Sequence, residues 1–254
     1  MGIFLHIDRL DFNYHGLQGE TPALRNVSLK IEEEEFVAIV GPSGCGKTTL
    51  LSLIAGLEKP DHGTIVIKNP EEPIGYMLQK DELFEWRSTW DNIMLGLEIR
   101  GRIQPEHIEK AKNLLRTYGL YDFRKNRPSG LSGGMRQRAA LIRTLMLEPE
   151  LLLLDEPFSA LDYQTRLLVS DDIWRIIKEQ KKTAILITHD ISEAISMADR
   201  VVVLSRRPGT VVKDIPIRFE SLTARTPFAT RNAVEFHDYF QQIWEELNRH
   251  EKEG

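Results

Sequence analysis

Phe36 to Leu57 reads FVAIVGPSGCGKTTLLSLIAGL. Its opening run, Phe36 to Val40, is continuously apolar, the pattern of a strand buried on both faces in a parallel sheet. Gly41, Gly44 and Gly46 then let the chain turn tightly, and Leu50 to Leu57 read as an apolar helix. Amides at the head of such a helix can point at phosphate oxygens. Strand, glycine turn and helix in this order predict an α/β core with a phosphate site at a strand's carboxyl end.

Further apolar runs at Leu151 to Leu154, Ala184 to Ile187 and Val201 to Leu204 read as more buried strands, with helical patterns between them. Phe4 to Asn13 and Ala23 to Ile31 instead alternate apolar and polar residues, which predicts an antiparallel edge layer. The run EEEE, Glu32 to Glu35, reads as a solvated turn. Trp86 to Pro128 is mainly helical in pattern, with Glu106 to Tyr118 strongly periodic, and it interrupts the strand and helix alternation as an inserted lobe. Phe236, Phe240, Ile243, Trp244 and Leu247 recur at helical spacing, predicting a helix packed on the core with a polar, frayed end at EKEG. The chain is thus expected to be one domain over residues 1–254. Core and β layer take about 1–85 and 150–220, the helical lobe about 86–149, and a C-terminal helical tail about 221–254.

Composition narrows the function classes. Hydrophobic residues make up 41% and charged residues 28% of 254, ordinary for a globular protein, and a formal charge of -5 offers no general attraction to nucleic acid. No apolar stretch approaches the roughly 20 residues needed to cross a bilayer, and MGIFLHIDRL lacks a leader pattern, so the chain is expected in the cytosol. The single cysteine, Cys45, excludes an internal disulfide, and the 7 histidines lack zinc-ligand spacing.

Within the glycine loop, Lys47 is placed to reach the β- and γ-phosphates of a nucleotide, the Thr48 hydroxyl to ligate magnesium, and Thr49 to touch the α-phosphate. Cys45 reads as a small packing residue rather than a nucleophile, and its alkylation is expected to block nucleotide binding. LLLLDEP, Leu151 to Pro157, puts Asp155 and Glu156 at the carboxyl edge of the sheet. Asp155 would hold the magnesium shell, directly or through water, while Glu156 polarises the attacking water. His189, at the end of TAILITHD, lands on the same edge and should contact the γ-phosphate and that water. Downstream of the loop, LSGGM at Leu131 to Met135 supplies a second glycine-rich motif. Ser132, Gly133 and Gly134 start a helix over Met135 to Met146 and offer a hydroxyl and amides to an anion.

With these residues in place the chain resembles the ATP-binding subunit of ABC transporters along essentially its whole length. The resemblance implies a P-loop NTPase (RecA-like) α/β core with an antiparallel β edge layer and an inserted α-helical lobe. It implies ATP and Mg2+ as ligands and the reaction ATP plus water to ADP plus phosphate. Gly41, Pro42, Ser43, Gly44, Cys45, Gly46, Lys47, Thr48 and Thr49 correspond to the phosphate loop. Tyr14 matches the adenine-stacking aromatic, though such a tyrosine alone is more often a strand-end packing residue. Gln79 matches the glutamine that senses magnesium and γ-phosphate. Leu131, Ser132, Gly133, Gly134 and Met135 match the signature that caps ATP on the opposing subunit of a head-to-tail homodimer; the usual form is LSGGQ, and Met135 departs from it. Ser159, Ala160, Leu161 and Asp162 match the D-loop.

The lobe beside Gln79 implies a docking site for a transmembrane permease, which places the subunit peripherally on the inner face of the membrane. Leu83, Phe84 and Trp86 could form that surface or pack into the core. LFEWRSTWDNIMLGLEIRG (Leu83 to Gly101), LSGGMRQR (Leu131 to Arg138) and SRRPG (Ser205 to Gly209) look like the importer branch for nitrate, sulfonates, taurine and bicarbonate, which also includes carriers of thiamine-precursor pyrimidines. An external substrate-binding protein then takes part indirectly. An exporter motor and a soluble non-transport ABC ATPase are the rival readings. The second usually carries two cassettes or a long coiled-coil insertion, neither of which is seen.

Overall fold

The computed structural model of the chain describes residues 2–16 and 19–252. In chain order its elements are β1 (Ile3–Gly16), β2 (Gly19–Glu32), β3 (Phe36–Val40), α1 (Lys47–Ile54), β4 (His62–Ile67), β5 (Ile74–Met77), α2 (Thr89–Ile99), α3 (Pro105–Thr117), α4 (Gly133–Leu145), β6 (Leu151–Asp155), α5 (Tyr163–Glu179), β7 (Thr183–Ile187), α6 (Ile191–Met197), β8 (Arg200–Leu204), β9 (Val211–Pro216), α7 (Pro227–Thr230) and α8 (Phe236–Lys252). The chain divides into two compact units, Met1–Glu71 with Ser170–Gly254, and Glu72–Val169.

In the first unit β1 lies between β2 and β4, antiparallel to both. The alternation of β1 buries Leu5, Ile7, Leu10 and Phe12. Its register slips near Arg9, whose φ is 46° and whose amide bonds the Ser28 hydroxyl at 2.9 Å. β3 runs parallel to β7 and β8, and β9 closes the β8 side antiparallel. Every residue of β3 and β7 is buried, which is why these stretches read as unbroken apolar runs. Truncating Ile39 to Ala would cost about 2–5 kcal/mol, the range for a fully buried aliphatic side chain.

The second unit contains the parallel pair β5 and β6 together with α2, α3 and α4. Ser88 caps α2 in a capping box with Asp91, and Ser132 caps α4, its hydroxyl accepting from the Met135 amide at 3.3 Å.

Several expectations shift. α1 begins at Lys47, directly after the left-handed Gly46, and α4 at Gly133, directly after the extended Ser132 cap, so each helix starts where its N-cap ends rather than at its apolar stretch. The EEEE run is no plain solvated turn. Glu32 ends β2, and Glu35 bonds the Arg200 guanidinium at 2.7 Å with both side chains more than four-fifths buried. Glu33 pairs with Lys68 at 2.8 Å. β4, β5 and β9 carry no strong alternation and were not legible as strands. On α8, Ile243 and Glu246 are buried while Trp244 is 53% exposed and stacks on Phe240, so the predicted stripe is only partly covered. The last two residues of EKEG lie outside the described residues.

Candidate nucleotide site

Because β3 and β7 are parallel neighbours with Ile39 opposite Ile187, the phosphate loop and the segment holding His189 leave one sheet edge of the first unit together. Gly46 carries the loop into α1 at φ 105° and ψ 12°. A Cβ there would come 2.8 Å from Leu24 Cδ2 and 2.9 Å from the Ala23 carbonyl oxygen. Only glycine meets both demands.

Lys47 is buried, and its Nζ donates to the carbonyl oxygens of Gly41 at 2.8 Å and Pro42 at 2.9 Å. No acidic residue stands in the first turn of α1, so the positive helix end is uncompensated. Ser43, Gly44 and Thr48 are exposed. The buried Lys47 amine at the loop's start, the uncompensated helix N-terminus and an exposed Thr48 hydroxyl suit polyphosphate.

Thr49, expected at the α-phosphate, is buried and its hydroxyl pairs with Tyr14 Oη at 2.8 Å. Tyr14 also packs edge-on against Phe12 at 5.0 Å, yet its ring stays 45% exposed. A ring fixed at its edge and hydroxyl but open to solvent is suited to a planar base. The Cys45 thiol is fully buried, and burial, outweighing the nearby Lys47 charge, pushes its pKa up. It stays a neutral packing group at ordinary pH.

His189 is exposed and stands two residues beyond β7. The Thr188 hydroxyl donates to Glu193 at 2.6 Å and accepts from the Asp190 amide at 3.0 Å, while the Asp190 carboxylate caps α6. These bonds fix the backbone on which His189 is carried.

In the second unit Met77 of β5 lies opposite Leu154 of β6, so Gln79 and the acidic pair also leave one edge together. Gln79 Nε2 donates to Glu156 Oε2 at 3.2 Å. Asp155 is buried, with 1% of its surface exposed. Glu156 turns the chain at φ 48°, a left-handed conformation that costs a non-glycine residue about 1–3 kcal/mol unless neighbours enforce it.

The enforcing group is Gln137 of α4, 5% exposed. Its Nε2 donates to the Glu156 carbonyl oxygen at 3.1 Å and to the Ser159 hydroxyl at 3.3 Å, and its Oε1 accepts from the Ala160 amide at 3.0 Å. The Ser159 hydroxyl donates to the same Glu156 carbonyl at 3.1 Å. Ser159, Ala160 and Asp162 are exposed while Leu161 is buried. Hydrogen bonding to Thr165 holds the Asp162 carboxyl below the usual carboxylate range.

α4 grips the glutamine segment as well. Arg136 Nε donates to Asp81 Oδ2 at 3.0 Å, and Arg143 donates to the carbonyls of Asp81 and Glu82, each at 2.7 Å. A cleft of about 590 Å³ opens between Gln79–Glu85 and the head of α4, with Gly133, Ser159 and Ala160 on its walls. Gln137, Arg136 and Arg143 were missed in the sequence, where polar residues on a helix next to LSGGM carry no local signal. The open question over the aromatics resolves by residue: Leu83 is buried, whereas Phe84 and Trp86 stack at 4.8 Å and are 37% and 70% exposed.

In the second unit Asp155 and Gln79, and in the first the Thr48 hydroxyl, each carry side-chain oxygen of the kind magnesium takes. Among the described residues no cluster of three or more His, Cys, Asp or Glu could hold a metal ion.

The sequence profile described as ABC transporter matches residues 24–159. The uncharacterized ABC transporter ATP-binding protein YtlC of Bacillus subtilis is 48% identical over 98% of both chains. The nitrate import ATP-binding protein NrtD of Synechocystis is 38% identical over 98% of this chain and 97% of its own. The taurine import ATP-binding protein TauB of Escherichia coli is 41% identical over 85% of each. Among solved structures, the dimeric ATP-binding cassette MJ0796 bound to ADP and Pi superposes with a TM-score of 0.77 at 31% identity, over 84% of this chain and 99% of that one. The chain belongs to the ABC transporter family and is an ATP-binding subunit with the ABC nucleotide-binding fold. Its relatives match the importer branch that the three sequence phrases resemble.

Proposed function

We propose that the chain is the ATP-hydrolysing motor of an importer for a small anion such as nitrate, taurine or a sulfonate, or for bicarbonate or a thiamine-precursor pyrimidine. What supports the reading is the group of relatives named for nitrate, taurine and aliphatic sulfonate import. The motor is read as one ABC domain over residues 1–254, working as a head-to-tail homodimer beneath a pair of permease subunits. It sits on the cytoplasmic face of the membrane, with an external binding protein engaged indirectly. Among the described residues no helix is long and apolar enough to cross a membrane, so membrane attachment in this reading runs through the permease.

In the proposed reaction the amides of Gly44 to Thr48 and the Lys47 ammonium bind the phosphates, and Tyr14 stacks on the base. Glu156 accepts a proton from the attacking water, and His189 orients that water against the γ-phosphate. Thr48, Asp155 and Gln79 would hold Mg2+, which neutralises phosphate charge when bound. Ser132 and the amides of Gly133 and Gly134 cap the γ-phosphate of the partner, as a second helix N-terminus does for an anion. The Gln79 bond to Glu156 supports the base assignment, because it orients the carboxylate.

The test is uptake of labelled nitrate, taurine, alkanesulfonates, bicarbonate and a thiamine-precursor pyrimidine in cells whose only copy is wild type or Glu156→Gln. The variant should bind ATP but hydrolyse it at least about tenfold more slowly, because the base is gone while the binding groups remain. It should also abolish one uptake. Unchanged hydrolysis removes Glu156 as base, and unchanged uptake of every compound defeats the importer assignment for this panel.

A further inference from the structure

The phrase SRRPG has no part in the chemistry above, yet its structure is built against the phosphate loop. β3 and β8 are parallel with Val40 opposite Val203, so the segment after β8 leaves the sheet beside Gly41. It is folded on its own bonds: the Ser205 hydroxyl donates to the Arg206 carbonyl oxygen at 2.9 Å and accepts from the Thr210 amide at 3.0 Å. It is also fastened to β2. The Gly209 amide donates to the Ala23 carbonyl oxygen at 2.8 Å, the Arg25 amide donates back to Gly209 at 3.0 Å, and Arg207 Nε donates to the Pro22 carbonyl oxygen at 2.8 Å. Gly209 is pressed so closely on the phosphate loop that a Cβ there would run into the Cys45 carbonyl oxygen. A side chain of any size would push the two loops apart.

This joint leaves a cleft of about 410 Å³ lined by Pro42, Ser43, Arg206 and Arg207. Two guanidiniums and no carboxylate line it among the described residues. Both arginines are exposed, and the Arg206 guanidinium makes no hydrogen bond or ion pair among the described residues. The cleft lies at the start of the phosphate loop. That is also the end where the Lys47 ammonium sits, bonded to the carbonyls of Gly41 and Pro42. Cationic charge therefore concentrates at the end of the loop away from the helix amides, where the last phosphate of a chain anchored on those amides would reach.

We propose that Arg206 and Arg207 form a cationic lip on the phosphate loop that binds the terminal phosphate of a nucleoside triphosphate. A guanidinium suits this task because its planar fork can meet two phosphate oxygens at once, whereas an ammonium acts as a point charge. The lip adds to affinity only where a third phosphate is present, so it sets the preference for triphosphate over diphosphate. The inference rests on nucleotide occupying the phosphate loop.

The experiment is titration of the full chain with fluorescent ATP and ADP analogues, in EDTA so that hydrolysis does not deplete ATP. Wild type is compared with Arg206→Ala, Arg206→Ala/Arg207→Ala and Arg206→Lys/Arg207→Lys. The double alanine variant should bind ATP about tenfold more weakly while ADP affinity stays within about twofold, and the double lysine variant should recover only part of the loss. Retained ADP binding reports that the loop is still folded. If the double variant does not fold, Arg206→Ala, which breaks no bond described above, should still lower the ATP to ADP preference about threefold. Equal weakening of ATP and ADP, or no change in either, overturns the lip. So does unchanged ATP affinity with loss of ATP-induced association, because the arginines would then be facing a second copy. A wild-type chain that binds neither nucleotide defeats the underlying nucleotide reading instead.

Discussion

The phosphate loop turns through Gly46 at φ 105°, whereas the acid turn bends through Glu156 at φ 48°. In the first region the residue itself permits the conformation, and the backbone packs down on Leu24 and Ala23 where no side chain fits. In the second the residue resists the conformation, and a buried side-chain amide from α4 enforces the bend. Strain that a glycine would relieve is retained at the residue proposed as the base.

That contrast orders three perturbations. The largest effect is expected from Gly46→Ala, which meets both an unfavourable φ and the Leu24 and Ala23 contacts. It should lower stability by about 2–3 kcal/mol, or on the order of 5–10 °C in Tm, with loss of nucleotide binding. Thermal unfolding with and without ATP measures both, and a variant that melts and binds as wild type does would break the comparison on its first side.

Next comes Gln137→Ala, which withdraws the clamp but leaves Glu156 in the chain. We expect kcat to fall about tenfold while ATP affinity stays within about twofold, since the carboxylate loses its position and the phosphate loop is untouched. Gln137→Glu, which cannot donate to the Glu156 carbonyl, should fail to rescue the rate. Steady-state kinetics beside a binding titration separates this positioning role from a fold defect, which would weaken both.

The smallest change is expected from Tyr14→Phe. Loss of the 2.8 Å bond to Thr49 unpins the ring without removing its stacking face. ATP affinity should drop about two- to threefold, the worth of one modest hydrogen bond. A loss as large as that of Tyr14→Ala would mean that the hydroxyl, not the ring, carries the contact.

The same contrast explains what could be read from the chain. The placement of Gly46, Lys47 and Thr48 between strand and helix is legible because it follows from neighbours within a few positions. Asp155 and Glu156 are legible because an apolar strand delivers them to an edge. Gln137, Arg136 and Arg143 act across 19 to 62 positions of sequence, on partners that no local pattern predicts. The pairing of Glu35 with Arg200 spans 165 positions, and without it the glutamate run reads as solvent-facing. β9 escaped notice for a related reason: its central Lys213 and Asp214 are exposed, so its strand character comes from pairing with β8 rather than from its own composition.

α4 has a consequence of a different kind. Its head carries the signature, Gln137 holds the acid turn, and Arg136 and Arg143 hold the segment running from Gln79 toward the exposed pair Phe84 and Trp86. These stations are bonded to one helix. A displacement of α4 would therefore carry the acid turn, the glutamine segment and the LSGGM head with it, which makes the helix a common carrier for three stations that lie far apart in sequence.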